Sequence, residues 1–469
     1  MKIAVRTRLG ARVWSSFVVL GLAGQLAWTV ENMYLNVFVY DTITDSPIVI
    51  AALVAASAAA ATLATVVVGA WSDRTGRRRG IVALGYVLWG ISTAAFGWVT
   101  PEALATMAPG WDAVTAAIAG IILLDCLMSF LGSSANDAAF QAWVTDRTDP
   151  TNRGRVDGVL STLPLVAMLL VFGALDGFTQ AGEWRVFFGI VGGATAIVGF
   201  VAWLVVRDRE RGTRTGGFAA DIVYGLRPST VRSHPRLYQV LVVLAIVGTS
   251  TQVFLPFLII YIQRTLRIDG YAIVLGVVLI VAAIASVLGG RVIDRIGKIR
   301  AILPAMALLG LGLLGMLVVR DLLGVIIVGS VMMSGFMLTS AAITATLRDL
   351  APVDRAGTVQ GLRMIAAILV PMLIGPWVGA LVIQGADETY VDLGIEKQVP
   401  TVWIFLAAFV VLALAVPFVL WLLRSARGAD RGGQRVLDAV EDAEGASVAD
   451  GATDPAPVAP TAPAVADPA

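Results

Sequence analysis

The chain has 469 residues, of which 58% are hydrophobic and 14% charged, and its formal net charge is +1. A charged fraction this far below the roughly 25% of soluble domains excludes an ordinary water-soluble protein, and the small net charge gives no bulk attraction to nucleic acid. There is one cysteine, Cys126, and one histidine, His234, which excludes a disulfide within the chain and a Cys/His metal site or catalytic pair.

Twelve apolar runs are long enough to cross a bilayer as helices, which takes about 20 residues each. In chain order, and numbered below as spans 1 to 12, they are residues 14–40, 46–71, 80–98, 113–143, 157–178, 184–206, 237–262, 271–292, 301–319, 322–346, 356–385 and 401–423. They are continuously apolar rather than alternating, which favours helices over the strands of a membrane barrel. The first run is too long for a signal peptide and contains Gln25, Glu31 and Asn32, so we expect an uncleaved span.

The basic residues are distributed unequally between the two sides of the membrane. The N-terminus, the even-numbered connections between spans and the C-terminal tail together hold 28 of the 34 lysines and arginines. The positive-inside rule therefore places both termini in the cytoplasm, and an even number of spans agrees with this. We expect an all-α, multi-pass protein of the plasma (cytoplasmic) membrane.

The short connection after span 2, GAWSDRTGRRRG at 69–80, recurs after span 8 as GRVIDRIGKIR at 290–300. The two copies keep the same spacing of glycine, aspartate and basic residues: Gly69, Asp73, Arg74, Gly76 and Arg77 correspond to Gly290, Asp294, Arg295, Gly297 and Lys298. Asp146, after span 4, recurs in the same way as Asp349, after span 10. Two six-span halves of the same orientation explain both repeats, because six spans return the chain to the same side.

The repeat predicts the division of the chain into domains. The N-terminal six-helix half covers residues 1–206 and the C-terminal half covers 237–424. An arginine-rich cytoplasmic linker at 207–236 joins them. The Pro/Ala-rich tail at 425–469 cannot bury a core, so we expect it to be disordered in the cytoplasm.

The pattern G-x-x-x-D-R-x-G-R-R-R after span 2, weakly repeated after span 8, resembles the major facilitator superfamily of transporters over about residues 10–425. Three stretches further resemble the glycoside–pentoside–hexuronide cation symporters, which include melibiose permease. They are MYLNVFVYD in span 1, NDAAFQAWVTD at the end of span 4 and TNRGRVDG after it. The resemblance implies two halves that rock about a central cavity lined by spans 1, 4, 7 and 10.

Charged residues at the cytoplasmic ends of the spans form a predicted gate. Asp73 lies at a helix end, where its carboxylate can accept hydrogen bonds from the free N–H groups of a neighbouring helix start. Arg74 and Arg77 can bridge to carboxylates on adjacent connections, with Asp146 and Asp354 the nearest by topology. Such contacts hold one arrangement of the halves and release it in the other, as alternating access requires.

Glycines complete the predicted gate, because Gly69 and Gly76 permit close helix approach and a tight reversal. The predicted gate residues are Gly69, Asp73, Arg74, Gly76, Arg77, Asp146, Arg153, Asp294, Arg295 and Arg363. An alternative is that the arginines, Arg78 and Arg79 above all, only fix topology and bind anionic lipid headgroups. Arg363 lies about two turns into span 11, where a gate ion pair or a substrate contact are both open.

Ionisable groups inside spans are costly in lipid and indicate function, and polar residues at helical spacing indicate which faces are wet. Span 4 has a stripe of Ser133, Asp137 and Gln141 at i, i+4 and i+8. Span 1 has a similar stripe of Gln25, Trp28, Asn32 and Asn36 and also carries Glu31, and span 7 offers Thr249, Gln252 and Pro256. The predicted substrate- and proton-binding residues are Gln25, Trp28, Glu31, Asn32, Asp137, Gln141 and Gln252; Asp125 is a further carboxylate of span 4.

Asp137 matches the span 4 aspartate of the melibiose permease type, which the resemblance implies serves both cation and sugar. A buried carboxylate can bind and release a proton. Sodium-using relatives carry aspartates in span 2, whereas residues 46–71 contain none, and Gln25 and Gln141 stand where the type has other residues. The departures favour protons, or no coupling ion, over sodium. The alternative role for Asp137 is a structural hydrogen bond to Asn136 or to a neighbouring helix.

The predicted function is proton-coupled import of a sugar or glycoside by a monomeric secondary transporter. We expect no enzymatic activity, no cofactor other than the coupling proton, and no nucleic-acid partner; the partners are the small-molecule substrate and the lipid bilayer. Two alternatives stay open. One is an exporter or facilitator of another small organic solute, and the other is a non-transporting sensor with the same fold.

Overall fold

The computed structural model describes residues 9–107, 110, 112–148, 152–208, 227–268, 270–350, 356–392 and 395–425. In this part of the chain twelve helices are long and apolar enough to cross a membrane: Ala11–Thr42, Pro47–Ser72, Arg78–Trp98, Ala113–Arg147, Arg155–Gln180, Trp184–Val205, Pro235–Thr265, Tyr271–Ile296, Lys298–Gly315, Leu322–Leu350, Gly361–Ala386 and Trp403–Ser425. Each overlaps one predicted run, so the twelve-helix fold is confirmed, and they keep the span numbers 1 to 12.

Local sequence signals explain where spans begin and end. Span 2 lies in a helix that starts with Pro47, at a position where the missing N–H costs nothing, and ends at Gly76, whose φ of 68° favours glycine. The helix of span 4 is capped by Asp112, whose carboxylate accepts a hydrogen bond of 2.8 Å from the Thr115 N–H. That backbone hydrogen bond lowers the pKa of Asp112.

Five of the described spans contain a stretch of π-helix, a wider turn that is frequent at functional sites. These stretches are Val30–Leu35 in span 1, Ser133–Phe140 in span 4, Val171–Leu175 in span 5, Tyr261–Thr265 in span 7 and Ile365–Leu369 in span 11. Three of the predicted site residues, Glu31, Asn32 and Asp137, lie in them. The π-helical winding therefore changes the direction in which the Glu31 and Asp137 carboxylates face, relative to a regular α-helix.

Short elements complete the architecture. Helices Pro101–Met107 and Pro228–Ser233 lie outside the spans. Between spans 11 and 12, β1 (Thr389–Asp392) pairs antiparallel with β2 (Ile395–Gln398). This hairpin is the one departure from the all-α prediction in the described chain, and its four-residue strands are too short to produce a recognisable apolar pattern.

Small residues allow close packing within and between the halves. Gly90 of span 3 and Gly192 of span 6 face each other so closely that a Cβ on either would collide with the carbonyl oxygen of the other. Between the halves, span 2 packs against span 11 and span 5 packs against span 8. Where span 5 packs against span 8, a Cβ on Gly276 of span 8 would lie 3.8 Å from the Leu169 side chain of span 5.

The chain forms one compact unit over Met1–Val419; a second unit, Leu420–Ala469, is described to residue 425, where span 12 ends. Most of the predicted linker, residues 209–226, and all of the tail beyond residue 425 lie outside the described residues. The predicted boundaries of the linker and the tail therefore stay predictions.

Candidate substrate cavity and coupling site

A cavity of about 980 Å³ lies between the two halves, lined by spans 1 and 5 on one side and mainly by spans 7, 8, 10 and 11 on the other. Its lining includes Ser161 and Thr162 of span 5 and Arg348 of span 10, which are exposed near the cytoplasmic ends of their helices. The cavity therefore opens towards the cytoplasm. Span 4, which the superfamily resemblance placed in the lining, supplies none of the described lining residues.

Four predicted site residues line this cavity. Gln25, Trp28 and Asn32 contribute from one face of span 1, and Gln252 contributes from span 7. All four side chains are half-buried. The Asn32 amide donates a hydrogen bond of 2.8 Å to the carbonyl oxygen of Trp28, which fixes its orientation. Spans 1 and 7 therefore bring three amide side chains and one indole to the same space.

The rest of the deep lining is apolar, and sequence reasoning did not identify it. Span 8 contributes Val274, Leu275, Val278, Leu279 and Ala283, and span 10 contributes Val325, Met332, Met333, Phe336 and Met337. Among the described lining residues the charged side chain is Arg348, at the cytoplasmic mouth. A weak signal exists in the sequence, since four of these span 10 positions are three or four residues apart and face one side of a helix.

Asp137 lies behind span 1 rather than in the cavity lining. Its two carboxylate oxygens accept hydrogen bonds of 2.9 Å each from Ser133 and Asn136. The side-chain oxygen of Asn136 in turn accepts a hydrogen bond of 2.9 Å from the Tyr86 hydroxyl. Both the structural bond to Asn136 and the predicted Ser133 neighbour are therefore present. Gln141, the third member of the predicted stripe, is exposed and outside the described lining.

Glu31 also faces away from the cavity, towards spans 2 and 4. It is 6% exposed, and its carboxylate accepts a hydrogen bond of 2.5 Å from Ser129. Asp125 of span 4 and Ser57 of span 2 lie beside it, and the Ser57 hydroxyl donates to the carbonyl oxygen of Val54. One oxygen of Glu31 and one of Asp125 are buried without a hydrogen-bond partner among the described residues. Such groups are costly unless a proton or cation satisfies them.

At the cytoplasmic gate of the N-terminal half, the arginine that reaches Asp146 is Arg78. Arg78 is buried, and its guanidinium donates hydrogen bonds to Ser72 at 2.5 Å and to Asp146 at 3.4 Å. Arg74 and Arg77, which the sequence analysis expected to form this bridge, are exposed. The reason is geometric. Arg78 is the first residue of the next helix, and its side chain reaches both Ser72 and Asp146, whereas the other two side chains are exposed.

The C-terminal half repeats this link in the equivalent connections. Lys298 donates to Asp349 at 2.7 Å, across the connections that follow spans 8 and 10. Asp294 and Arg295 are exposed. Asp146 and Asp349, recognised as equivalents by their spacing, thus each bind a basic residue of the repeated motif within their own half.

The remaining predicted gate residues divide by what the structure describes. The side chains of Asp73 and Arg153, together with residue 354, lie outside the described residues. Gly69 lies where a Cβ would come 3.8 Å from Ala138 of span 4, an ordinary contact. Arg363 is half-buried, its Nε has no described hydrogen-bond partner, and the charged side chain near it is Arg348. The predicted ion pair of Arg363 is therefore not formed by the described residues in this conformation.

Polar contacts join the two halves at the opposite, outer end. Asp176 of span 5 accepts hydrogen bonds from Tyr34 of its own half, at 2.9 Å, and from Tyr271 of span 8. Asp41 at the end of span 1 forms an ion pair of 2.7 Å with Arg264 of span 7. Asp176 is not among the predicted site residues, although it lies inside the predicted span 157–178 and an intramembrane carboxylate indicates function.

The β-hairpin adds to this outer closure. The Tyr40 hydroxyl donates a hydrogen bond of 2.7 Å to the carbonyl oxygen of Gln398, and the Gln398 N–H donates one of 2.7 Å to Asp45. Lys397 lies over the Tyr40 ring, 5.8 Å from its centre. The closed outer end and the cavity open to the cytoplasm together define an inward-open conformation.

Comparison with known proteins agrees with this architecture. The family model for the Major Facilitator Superfamily matches residues 17–376 and again 240–460. A bacterial homolog of the human lysosomal transporter Spinster, solved in an inward-facing, occupied conformation, is similar in structure, with a TM-score of 0.67, 17% identity and coverage of 88% of this chain and 96% of that one. The nucleoside transporter NupG gives a TM-score of 0.63 at 12% identity, covering 88% and 98%. No curated protein matches the sequence significantly.

The chain belongs to the Major Facilitator Superfamily. It is a multi-pass membrane transporter rather than an enzyme, which confirms the predicted class. At these identities the solved structures show the fold alone, and they leave the substrate and the coupling ion to be argued from the residues of this chain.

Proposed function

We propose that the protein is a secondary active transporter that imports a sugar or glycoside together with protons and works as a monomer. The observation that carries the proposal is the cavity between the halves, which opens to the cytoplasm while polar contacts join the halves at the outer end. A site reachable from one side, with a closure on the other made of side-chain contacts, is what alternating access requires.

The polar side of the cavity supports a hydroxylated substrate. The amides of Gln25, Asn32 and Gln252 each offer donors and an acceptor, which suits hydroxyl groups. Trp28 adds a flat apolar surface beside them. No acidic side chain is among the described lining residues, which favours a neutral substrate over a cationic one.

Asp137 is the proposed coupling carboxylate. It binds Asn136, and Asn136 lies against span 1 so closely that a Cβ on Gly24 would come 2.6 Å from its carbonyl oxygen. Gly24 precedes Gln25, which faces the cavity. The charged Asp137 carboxylate accepts the Asn136 hydrogen bond. Protonation removes this charge, and the effect on the hydrogen bond is transmitted through Asn136 to the span 1 backbone beside the substrate.

The Glu31–Asp125 pair supports the same coupling. The two buried carboxyl groups lie next to each other on spans 1 and 4, and no described basic side chain pairs with either. Two ionised carboxylates without a basic partner are costly in an apolar interior. Binding of one proton neutralises one of the two. We include Glu31 with Asp137 in the proposed proton path.

The test is transport by purified protein in proteoliposomes, with radiolabelled sugars and glycosides and an inside-alkaline proton gradient. Wild type is expected to accumulate at least one compound when the gradient is present, with no requirement for sodium. Asp137→Asn and Glu31→Gln are expected to lose uphill accumulation and to keep exchange of substrate down its own gradient. Asp112→Asn is the matched control, because this exposed carboxylate caps the outer end of span 4.

Four outcomes of the same measurement would contradict parts of the proposed function. Accumulation by Asp137→Asn at the wild-type level would show that coupling does not depend on this carboxylate. A sodium requirement for accumulation by wild type would show that the coupling ion is sodium rather than the proton. Flux that runs only outwards would favour the exporter, and no flux of any compound in either direction would favour the non-transporting sensor.

A further inference from the structure

The cavity has two chemically different sides. The polar side is formed by Gln25, Asn32 and Gln252 on spans 1 and 7, and the apolar side is formed by spans 8 and 10. On span 10 the lining changes along the helix, from Val325 and Met333 at depth to Ser340, Thr344 and Arg348 towards the cytoplasm. The apolar side is therefore in the depth of the cavity, away from bulk water.

Several deep apolar residues are only half-buried although they lie inside the protein. Met333, Phe336 and Met337 keep part of their surface open to the cavity. Apolar surface in a water-filled cavity costs free energy that an apolar ligand group removes by covering it. A free sugar would instead turn some of its hydroxyls towards this wall, where they would find no hydrogen-bond partner.

The size of the cavity also exceeds what a single sugar ring needs. Its volume of about 980 Å³ lies at the upper end of the roughly 300–1,000 Å³ typical of sites for drug-sized ligands. Methionine side chains are unbranched and adapt to different shapes, and they are frequent on surfaces that accept several apolar partners. Volume and lining thus both fit a ligand that has an apolar group beside its polar head.

We propose that the substrate is a neutral amphipathic molecule. Its hydroxylated head binds Gln25, Asn32 and Gln252, and its flexible apolar group lies along spans 8 and 10 against Met333 and Met337. This inference rests on the proposed function, which it narrows from sugars and glycosides in general to glycosides with an extended apolar group.

The test is a binding measurement in lipid nanodiscs with glucose and with n-alkyl β-D-glucosides from methyl to octyl. A cysteine is introduced at Leu255, a lining residue three positions after Gln252 on span 7, in a Cys126→Ser background, and its reaction with a water-soluble maleimide is followed. The concentration that halves the reaction rate is expected to fall about fourfold for each added methylene until the apolar wall is covered. Equal protection by glucose, methyl glucoside and octyl glucoside would overturn the proposal.

Partition of long alkyl chains into the nanodisc lipid could imitate this trend, so two comparisons separate the causes. Met333→Gln and Met337→Gln are expected to flatten the dependence on chain length, whereas Met372→Gln on span 11, outside the described lining, is expected to leave it unchanged. A cysteine at Ser233, exposed at the end of the helix Pro228–Ser233 outside the spans, should gain no protection. A chain-length dependence that is the same in all three methionine variants would contradict the proposal.

The assay reads binding alone, so its outcome is separable from that of the transport test. Transport of free sugars with no chain-length dependence of binding contradicts the amphipathic substrate and leaves the proposed function in place. Binding that depends on chain length and on Met333, without flux of any glycoside, contradicts the proposed transport instead.

Discussion

Asp137 sits in a hydrogen-bonded chain that runs from span 4 to span 1. Ser133 and Asn136 hold its carboxylate, and Tyr86 bonds both Asn136 and the backbone oxygen of Leu20, each at 2.9 Å. The contact is tight because Gly24 lacks a side chain at the point where Asn136 approaches. The carboxylate is thus tied to the helix that carries Gln25 without facing the cavity itself.

This arrangement makes Gly24→Ala a sharp test of the link. The added methyl group would come 2.6 Å from the Asn136 oxygen, and displacing a side chain held by Tyr86 should destabilise the protein by about 1–3 kcal/mol. The matched control is Gly193→Ala in span 6, where nothing lies within 4 Å of the new Cβ, so a gain of about 0.5–1 kcal/mol is expected. Thermal unfolding in detergent measures both, and equal melting temperatures for the two variants would contradict the tight contact.

The positions of single residues were only partly predictable. On span 1 a rotation of 100° per residue groups Gln25, Trp28 and Asn32, which line the cavity, and separates Glu31 from them. It also groups Asn36 with them, which is buried and outside the described lining. On span 4 the same rule groups Asp137 with Gln141, but residues Ser133–Phe140 are π-helical, so a spacing of four no longer repeats the same face. A local change of winding leaves no signal in residue type.

At the scale of helices and connections, the two halves are each held by their own internal link. Arg78–Asp146 and Lys298–Asp349 join equivalent connections, and both lie within one half. By contrast, the ion pair Asp41–Arg264 joins span 1 to span 7. Under the proposed alternating access, links within a half persist while the halves rock and links between the halves must break, so we expect the outer pairs to control the conformation.

Reversing the charges of the outer ion pair tests this assignment. Asp41→Arg and Arg264→Asp alone each place like charges together, which should open the outer end and let a membrane-impermeant maleimide added outside react with a cysteine at Met33 in the cavity lining. The double variant restores an opposite-charge pair and should return the reaction rate towards that of wild type. The pair is partly exposed, so a severalfold change in rate is expected rather than complete opening.

The control for this experiment is Lys298→Asp, which removes a link within one half and should leave the external reaction rate unchanged. Reaction rates that are the same in wild type and both single variants would show that the Asp41–Arg264 pair does not hold the outer end closed. A double variant as reactive as the single ones would attribute the effect to lost packing rather than to charge.

Elements were predictable where burial or bilayer thickness imposes a long pattern. All twelve spans follow from runs of about 20 apolar residues, and the equivalence of Asp146 and Asp349 in the two halves follows from their spacing. The hairpin β1–β2 was not found because each strand has four residues, and its role depends on Tyr40 and Asp45, more than 340 positions away in sequence. Contacts between the halves join residues far apart in sequence, so no local pattern encodes them.

At the scale of the whole molecule, the structure is one end point of a cycle. The halves meet at the outer end through Asp176–Tyr271 and Asp41–Arg264, and the cavity is open at the cytoplasmic end. Arg363 is half-buried without a described acidic partner, so the gate role predicted for it requires that it gains one when the cytoplasmic ends approach. The account therefore requires a second, outward-open conformation of the same two halves.

The most direct test of that requirement measures distances between spin labels at both ends of the protein in lipid nanodiscs. One pair of labels replaces the exposed Arg74 and Arg295 on the cytoplasmic connections, and the other replaces the exposed Asp112 and Arg320 at the outer ends of spans. The account predicts two populations at each end, with Asp41→Arg shortening the cytoplasmic distance while it lengthens the outer one. A single distance at each end, unchanged in that variant and across pH 5 to 8, would contradict alternating access.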